Sequence, residues 1–354
     1  MERLRLRLSE LDLDALLLTY LPNIFYLTGF TGSAGALLVG AHQATFYTDG
    51  RYTIQAKEEI DGADVKIVRS SIVKAAAEAL RPRGSRGVRA GFAPEHVTVQ
   101  QLDHLKRGGK QRVHWIPCAN IIEDLRRVKD EFELTAIREA AVLAGNVWRE
   151  VLPKIQPGIS EMELAAEIDY RLRLAGASGP SFETIVASGP RSALPHARPS
   201  LKRIQKNELV VFDLGAILRG YCSDITRTVY VGRAPSDVRR WYQSVLDAHR
   251  AALEALVPGR AAEAVDAAAR TILRRRGIGR YFSHSTGHGL GIEVHESPRL
   301  GRGDKARLES GNVVTIEPGV YFKGVGGIRI EDDVLVSSKN PEILSGAERD
   351  FLEL

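Results

Sequence analysis

The segment Leu209-Val210-Val211-Phe212-Asp213-Leu214-Gly215 returns later in the chain as Val313-Val314-Thr315-Ile316-Glu317-Pro318-Gly319, with an acid over an acid and a glycine over a glycine. What precedes each copy also recurs. Ahead of the first, a helical pattern runs from Glu131 to Leu152, breaks at Pro157-Gly158, and resumes in a helix whose Ser160 and Glu163 are spaced as a capping box. Ahead of the second, a helix follows Ser236, breaks at Pro258-Gly259, and gives way to a helix ending at Gly277. Strands follow each helix pair, over Leu209 to Gly215 and Tyr221 to Val231, then over Asn312 to Phe322 and Ile328 to Val336. An internal repeat of this kind predicts two αα-ββ halves that face each other across a pseudo-twofold axis, with a cleft at the axis.

Acids from matching places in the two halves converge on that cleft. In the first half a turn at Ile217-Leu218-Arg219-Gly220, centred between Leu218 and Arg219, puts Asp213 directly opposite Asp224 on one face of a hairpin. In the second half, Glu317 and Glu331 are equidistant from Gly324 and oppose each other in the same way. On the first hairpin alone, two exposed acids at a hairpin end is the plainer reading. Together the two pairs place four carboxylates among apolar residues, and that much negative charge requires compensation, most simply by divalent cations. The stretch His284-Ser285-Thr286-Gly287-His288-Gly289-Leu290-Gly291, followed by Val294-His295-Glu296, adds three of the nine histidines. No Glu follows His284, and glycines at 287, 289 and 291 disfavour a helix, so a helical His-Glu-x-x-His zinc site is excluded and a loop or strand is expected.

The first third has a different texture. Ala15-Leu16-Leu17-Leu18-Thr19, Ala36 to Val39 and Ala44 to Tyr47 read as strands, and Arg51 to Ile60 and Ile72 to Leu80 as helices, giving a small α/β domain over residues 1–123 ahead of a second domain over 124–354. The length of 354 residues fits two domains by the usual size of roughly 50–250 residues. With 44% apolar and 26% charged residues the chain is globular, and a net charge of +5 from 49 basic and 44 acidic residues gives no argument for nucleic acid. Arg274-Arg275-Arg276 falls where a helix ends, where cations complement the helix dipole. Two cysteines, Cys118 and Cys222, are too few for a disulfide framework, which points to the cytoplasm. The apolar stretch from Ala15 to Phe30 is broken by Pro22 and Asn23, so neither a signal peptide nor a membrane span is expected.

The residues from Asp213 to Glu331 resemble the dinuclear metallopeptidase family that contains Xaa-Pro aminopeptidases, Xaa-Pro dipeptidases (prolidases) and methionine aminopeptidases, the pita-bread fold. The stretch from His284 to Glu296 looks like the signature of its proline-directed branch, and Asn23-Ile24-Phe25-Tyr26-Leu27-Thr28-Gly29-Phe30 is similar to the start of a creatinase/prolidase-type N-terminal domain, which methionine aminopeptidases lack. The resemblance covers the whole chain and implies a metal set of Asp213, Asp224, His288, Glu317 and Glu331. Asp213 and Asp224 would hold one ion, and His288 and Glu317 the other, with some carboxylates bridging both.

Such an oxygen-rich set suits manganese, with cobalt or zinc as possible substitutes. A shared hydroxide would attack the scissile carbonyl, with Glu317 as proton acceptor. The family further implies that His295 stabilises the tetrahedral intermediate, that His196 assists proton transfer to the leaving imino nitrogen, and that His284 acts in their company. Arg329 shares a strand face with Glu331, and Tyr321 with Glu317, so both would face the metals. A surface salt bridge is the plain alternative for Arg329, an exposed loop position for His196, and core packing for Phe182, which would otherwise line an apolar proline pocket.

The expectation is a cytoplasmic, homodimeric Xaa-Pro aminopeptidase acting on short peptides with proline second, with no nucleic acid or membrane partner. Its nearest alternative is an Xaa-Pro dipeptidase, which needs a basic group to grip the free carboxylate of a dipeptide. Arg191, Arg198 and Arg329 are the candidates for that group. A metal-free creatinase-like hydrolase and a catalytically inactive peptide-binding module have no reason to keep five intact ligands.

Overall fold

The computed structural model describes residues 1–80, 87–108 and 112–354, in two units, Met1–Arg126 and Arg127–Leu354. The first unit runs α1 (Glu2–Glu10), β1 (Ala15–Leu18), α2 (Leu21–Thr28), β2 (Ala36–Gly40), β3 (Ala44–Thr48), α3 (Gln55–Glu59), β4 (Asp64–Ile67), α4 (Ile72–Glu78), β5 (Val88–Phe92), α5 (Val99–Gly108), β6 (Val113–Pro117) and α6 (Ile121–Arg126). Its sheet has the order β4-β3-β2-β1-β5-β6. Every residue of β1 is buried, as a central strand covered on both faces must be. Pro22, which interrupts the apolar run, lies in the first turn of α2, where its missing N–H costs no hydrogen bond, and Gly29 ends that helix at φ 78°. The helix expected over Arg51 to Ile60 is shorter: a 3₁₀ turn at Gly50–Tyr52 precedes α3, and Asp49 caps it by accepting from Arg51 N at 3.0 Å.

The second unit contains both αα-ββ halves. The first comprises α7 (Glu131–Val151), α8 (Glu161–Leu174), β7 (Gly179–Pro180), β8 (Ile185–Ser188), β9 (Glu208–Leu214), β10 (Ala216–Leu218), β11 (Tyr221–Cys222) and β12 (Ile225–Val231). The second comprises α9 (Ser236–Ala255), α10 (Ala262–Arg275), β13 (Gly287–Gly289), β14 (Glu296–Leu300), β15 (Val313–Ile316), β16 (Gly319–Phe322), β17 (Gly326–Arg329) and β18 (Asp332–Leu335), followed by β19 (Glu342–Ile343) and β20 (Leu352–Glu353). Capping boxes start both helices of the first half, Asp130 with Glu133 and Ser160 with Glu163. Each half has its own core. Trp148 packs on Phe212 with ring centroids 5.3 Å apart beside Leu164 and Ile168 in one, and Val245, Val265, Leu273, Ile316 and Ile328 pack in the other.

The two hairpins differ in how they meet the expected register. In the second, Gly319 pairs with Arg329 and Ile316 with Asp332, so the ladder is centred on Gly324 and continues in one register across Glu317 and Glu331. In the first, Leu218 pairs with Tyr221 and Asp213 with Thr226, so Asp224 is not directly opposite Asp213. The turn is the two-residue loop Arg219-Gly220, with φ 51° and 82°, both left-handed as a right-twisted hairpin prefers. This moves the register by two residues, which keeps both aspartates on one face as diagonal neighbours.

Three of the long strands read from the sequence are interrupted, and each break falls at an acid. Asp224 N donates to Asp333 Oδ2 at 2.9 Å, Glu317 N to Thr286 O at 2.7 Å, and Glu331 N to Thr226 O at 3.1 Å, instead of to their own ladders.

Candidate metal centre

These breaks turn the acids inward. Asp213 leaves β9 on the same face, and Asp213, Asp224 and Glu331 are all buried. Asp224, His288 and Glu331 each offer one ligand atom, and the three atoms lie within 4.8 Å of one another. His288 Nε2 stands 3.7 Å from Asp224 Oδ2 and 3.6 Å from Glu317 Oε1, which brings a fourth member to the cluster. Strand β13 places His288 by donating its backbone N–H to Thr315 Oγ1 at 3.1 Å. Its Nδ1 lies 3.0 Å from Gly289 O, so the proton belongs on Nδ1 and the Nε2 lone pair faces the acids.

The electrostatics of the cluster call for a cation. Burial, reinforced by Glu331 and Asp213, pushes the Asp224 carboxyl well above the ordinary carboxylate range. Burial together with Glu317 and Asp213 does the same to Glu331, and burial carries Glu317 up to about 8 against the pull of Arg329. Burial lowers His288 to about 4, with His295 adding to the effect, so its imidazole is neutral and free to ligate. Asp213 Oδ1 and Asp224 Oδ1 are buried without a hydrogen-bond partner among the described residues. Orphaned carboxylate oxygens beside an imidazole lone pair fit hard divalent cations, and no thiolate takes part.

Arg329 organises the other side. Its Nε donates to Thr226 Oγ1 at 2.9 Å, and Thr226 Oγ1 in turn donates to Glu331 Oε2 at 2.5 Å. Its Nη2 donates to Asp213 Oδ2, and its Nη1 donates to Tyr321 Oη and to Pro195 O, both at 3.0 Å. Tyr321 Oη lies 2.8 Å from His284 Nε2, and His284 Nδ1 lies 2.8 Å from Ser285 O. With the His284 proton on Nδ1, Tyr321 donates to Nε2, giving a directed chain from Arg329 through Tyr321 to His284. Burial raises Tyr321 to about 12 and lowers His284 to about 3, so the phenol keeps its proton and the imidazole stays neutral.

A cavity of about 330 Å³ opens beside the acids, walled by Pro195, His196, His284, His288, His295, Arg299, Glu317 and Arg329. His288 and His295 lie with ring centroids 4.3 Å apart. Phe182 is not part of this wall; its ring lies against Gly215, where a Cβ would meet Phe182 Cε1 at 3.0 Å. Arg191 is paired with Glu161, Arg198 with Glu183, and Arg329 with Asp213, so each basic group proposed for a substrate carboxylate is already engaged.

Several site residues lie outside the set expected from sequence. Arg299 is exposed on the cavity wall and forms no ion pair among the described residues. Alternation along β14 from His295 could have found it. Thr226 lies two residues beyond Asp224 on one strand face, a spacing that also signals it. Lys129, whose Nζ lies 3.1 Å from Glu296 Oε2 in a nearly fully buried pair, holds the residue after His295, and no local pattern announces it.

Comparison with known proteins agrees with this architecture. Residues 135–338 match the metallopeptidase family M24, and residues 1–128 match the creatinase/prolidase N-terminal domain. An Xaa-Pro dipeptidase of Pyrococcus horikoshii is 36% identical over 343 residues, covering 96% of this chain and 95% of that protein. Among solved structures, an Xaa-Pro dipeptidase from Bacillus anthracis superposes with a TM-score of 0.95 at 37% identity, covering 100% of this chain and 98% of that one. An X-Pro aminopeptidase from Thermotoga maritima superposes with a TM-score of 0.91 at 33% identity, covering 98% and 100%. The two αα-ββ halves are those of the pita-bread fold, and the chain belongs to metallopeptidase family M24, a membership that implies divalent metals.

Proposed function

We propose that this protein is an Xaa-Pro dipeptidase, hydrolysing the bond between the two residues of a dipeptide that ends in proline. The observation that carries the reading is Arg299, an exposed basic group on the cavity wall with no ion pair of its own among the described residues. A dipeptide presents a carboxylate directly on its proline, and an unengaged guanidinium near the imidazoles is the partner that carboxylate needs. The relatives named Xaa-Pro dipeptidase support the same choice over the aminopeptidase expected from sequence.

Asp213, Asp224, His288, Glu317 and Glu331 would hold two divalent ions, and manganese suits a set of four carboxylates and one imidazole. Bound there, the ions would polarise the scissile carbonyl and acidify a water. Glu317 takes the proton of the attacking water. His295 donates to the oxygen on which charge develops, and His196 delivers a proton to the imino nitrogen as the bond breaks. Arg329 and Tyr321 hold Asp213 and His284 in place. The imino nitrogen of proline carries no N–H in the peptide, so recognition rests on the carbonyl, the ring and the carboxylate.

The proposal includes a homodimer in the cytoplasm. A monomer in sedimentation velocity at working concentration would overturn the first part. Both cysteines are free, in keeping with a reducing compartment, and no helix among the described residues is long and apolar enough to cross a membrane. The deciding experiment offers the manganese-loaded protein an Xaa-Pro dipeptide and an Xaa-Pro-Yaa tripeptide, with products read by mass spectrometry. Cleavage of the dipeptide alone is expected. Release of the first residue from the tripeptide would restore the aminopeptidase, and cleavage of neither would overturn both.

A further inference from the structure

His196 sits at an exposed position in the loop Gly189–Pro199, and no hydrogen bond of its own side chain fixes it among the described residues. Yet both ends of that loop are gathered by one side chain. Glu161, the first residue of α8, is completely buried. Its Oε1 accepts from Ser188 N at 2.8 Å and Ser188 Oγ at 2.9 Å, at the entry to the loop. Its Oε2 accepts from Ser200 N at 3.1 Å and Ser200 Oγ at 2.6 Å, at the exit. Arg191 Nε joins from the first turn of the loop at 2.9 Å, and Arg191 Nη2 reaches across to Arg198 O at 2.5 Å. The far end of the loop is held separately, by Arg329 Nη1 on Pro195 O, next to His196 itself.

We propose that Glu161 is a positioning residue for His196, closing the loop at its base so that the imidazole is aimed into the cavity. The inference rests on the role given to His196 above. Five donor groups point at one carboxylate, and only an acceptor-only side chain satisfies them all. A glutamine keeps the shape but turns an NH₂ group toward at least one of these donors. The loop then has a base that no longer closes, and a shift of about 1 Å at a catalytic group costs on the order of 10²-fold in rate.

The test compares E161Q, H196A and the double variant as full-length, manganese-loaded proteins on an Xaa-Pro dipeptide, with metal content measured in each. Glu161→Gln is expected to lower kcat by about 10- to 10²-fold, with little change in KM and with metal content unaltered. In the double variant the glutamine is expected to cost nothing beyond His196→Ala, because it acts through the imidazole. Losses that multiply in the double variant, or an E161Q protein with full kcat, would overturn the proposal. If H196A alone keeps full kcat, His196 has no catalytic role, and the inference falls with that assignment while the dipeptidase reading stands on the dipeptide assay. Should E161Q fail to fold, Ser200→Ala removes a single donor from the same carboxylate, and its smaller loss in kcat must show the same dependence on His196.

Discussion

Arg329 on β17 donates through Nη2 to Asp213 on β9, so a cation of one half is buried against an acid of the other. Its side chain is 3% exposed, and Glu317 and Glu331 also lie in its field. Removing one partner of a buried ion pair costs about 3–5 kcal/mol, because the remaining charge is left uncompensated. Bound divalent ions would take over part of that compensation. R329M is therefore expected to destabilise the metal-free protein by about that amount and the manganese-loaded protein by distinctly less. Thermal unfolding in chelator and in manganese measures the difference, and equal shifts in both would count against a metal site at Asp213.

The pH dependence of the metal-free protein follows from the same cluster. Burial raises Glu317 from an ordinary 4.5 to about 8, and lifts Asp224 and Glu331 well above the ordinary range. A raised acid keeps its proton in the folded chain after the unfolded chain has lost it, so stability falls as pH rises from 4.5 to 8. His284 and His288, lowered to about 3 and about 4 by burial, act in the opposite sense below their ordinary 6.5, where the unfolded chain binds more protons. The two effects oppose each other between 4.5 and 6.5. Above 6.5 the carboxylates alone among these groups set the slope. The unfolding temperature in chelator is expected to drop from pH 6.5 to 8, while in manganese it does not, since metal binding displaces those protons. A flat profile in chelator would refute the burial of ionisable acids here.

Arg299 gives the dipeptidase reading its own test. A charge-assisted hydrogen bond to a carboxylate is worth about 1.5–3 kcal/mol. R299Q should therefore raise KM for an Xaa-Pro dipeptide by roughly 10- to 10²-fold with kcat little changed. On the corresponding dipeptide methyl ester, which has no carboxylate to grip, wild type and R299Q should converge. An equal loss on both substrates would show that Arg299 does not bind the carboxylate.

How much of this was legible in the sequence depends on how local the signal is. Glu317 and Glu331 can be paired by counting because Gly324, at φ 79°, marks the turn between them. Asp213 and Asp224 cannot be paired the same way. The turn there begins at Arg219, an ordinary residue in a left-handed conformation, and nothing in its identity announces that. The two-residue shift in register leaves the site intact, because it preserves the face. The strand breaks at Asp224, Glu317 and Glu331 were out of reach, since each depends on an acceptor from a distant segment: Asp333, Thr286 and Thr226. Arg299 does not stand out from Arg191, Arg198 and Arg329 by pattern, because a sequence does not reveal which arginines are already engaged.

Arg227 joins the two halves from behind the site, and all five of its N–H donors are used. Nε donates to Glu348 O at 2.7 Å, Nη1 to Thr226 O at 2.9 Å and Glu331 O at 2.5 Å, and Nη2 to Asp332 Oδ1 and Ala347 O, both at 2.7 Å. One guanidinium thus ties the strand that follows Asp224 to the backbone of Glu331. The other oxygen of Asp332 accepts from Arg349 Nη1 at 3.1 Å and has His249 Nε2 3.1 Å away, and although burial opposes it, Arg227 and His249 hold its carboxyl well below the ordinary range. A lysine keeps the charge but has three donors on one nitrogen and cannot span these acceptors. R227K is therefore expected to loosen the spacing between Asp224 and Glu331 and to weaken manganese binding about tenfold, within the 10–100-fold range for residues that support ligands. Calorimetric titration of the metal-free protein measures this directly. Unchanged affinity in a folded R227K protein would mean that the hairpins keep their spacing without Arg227.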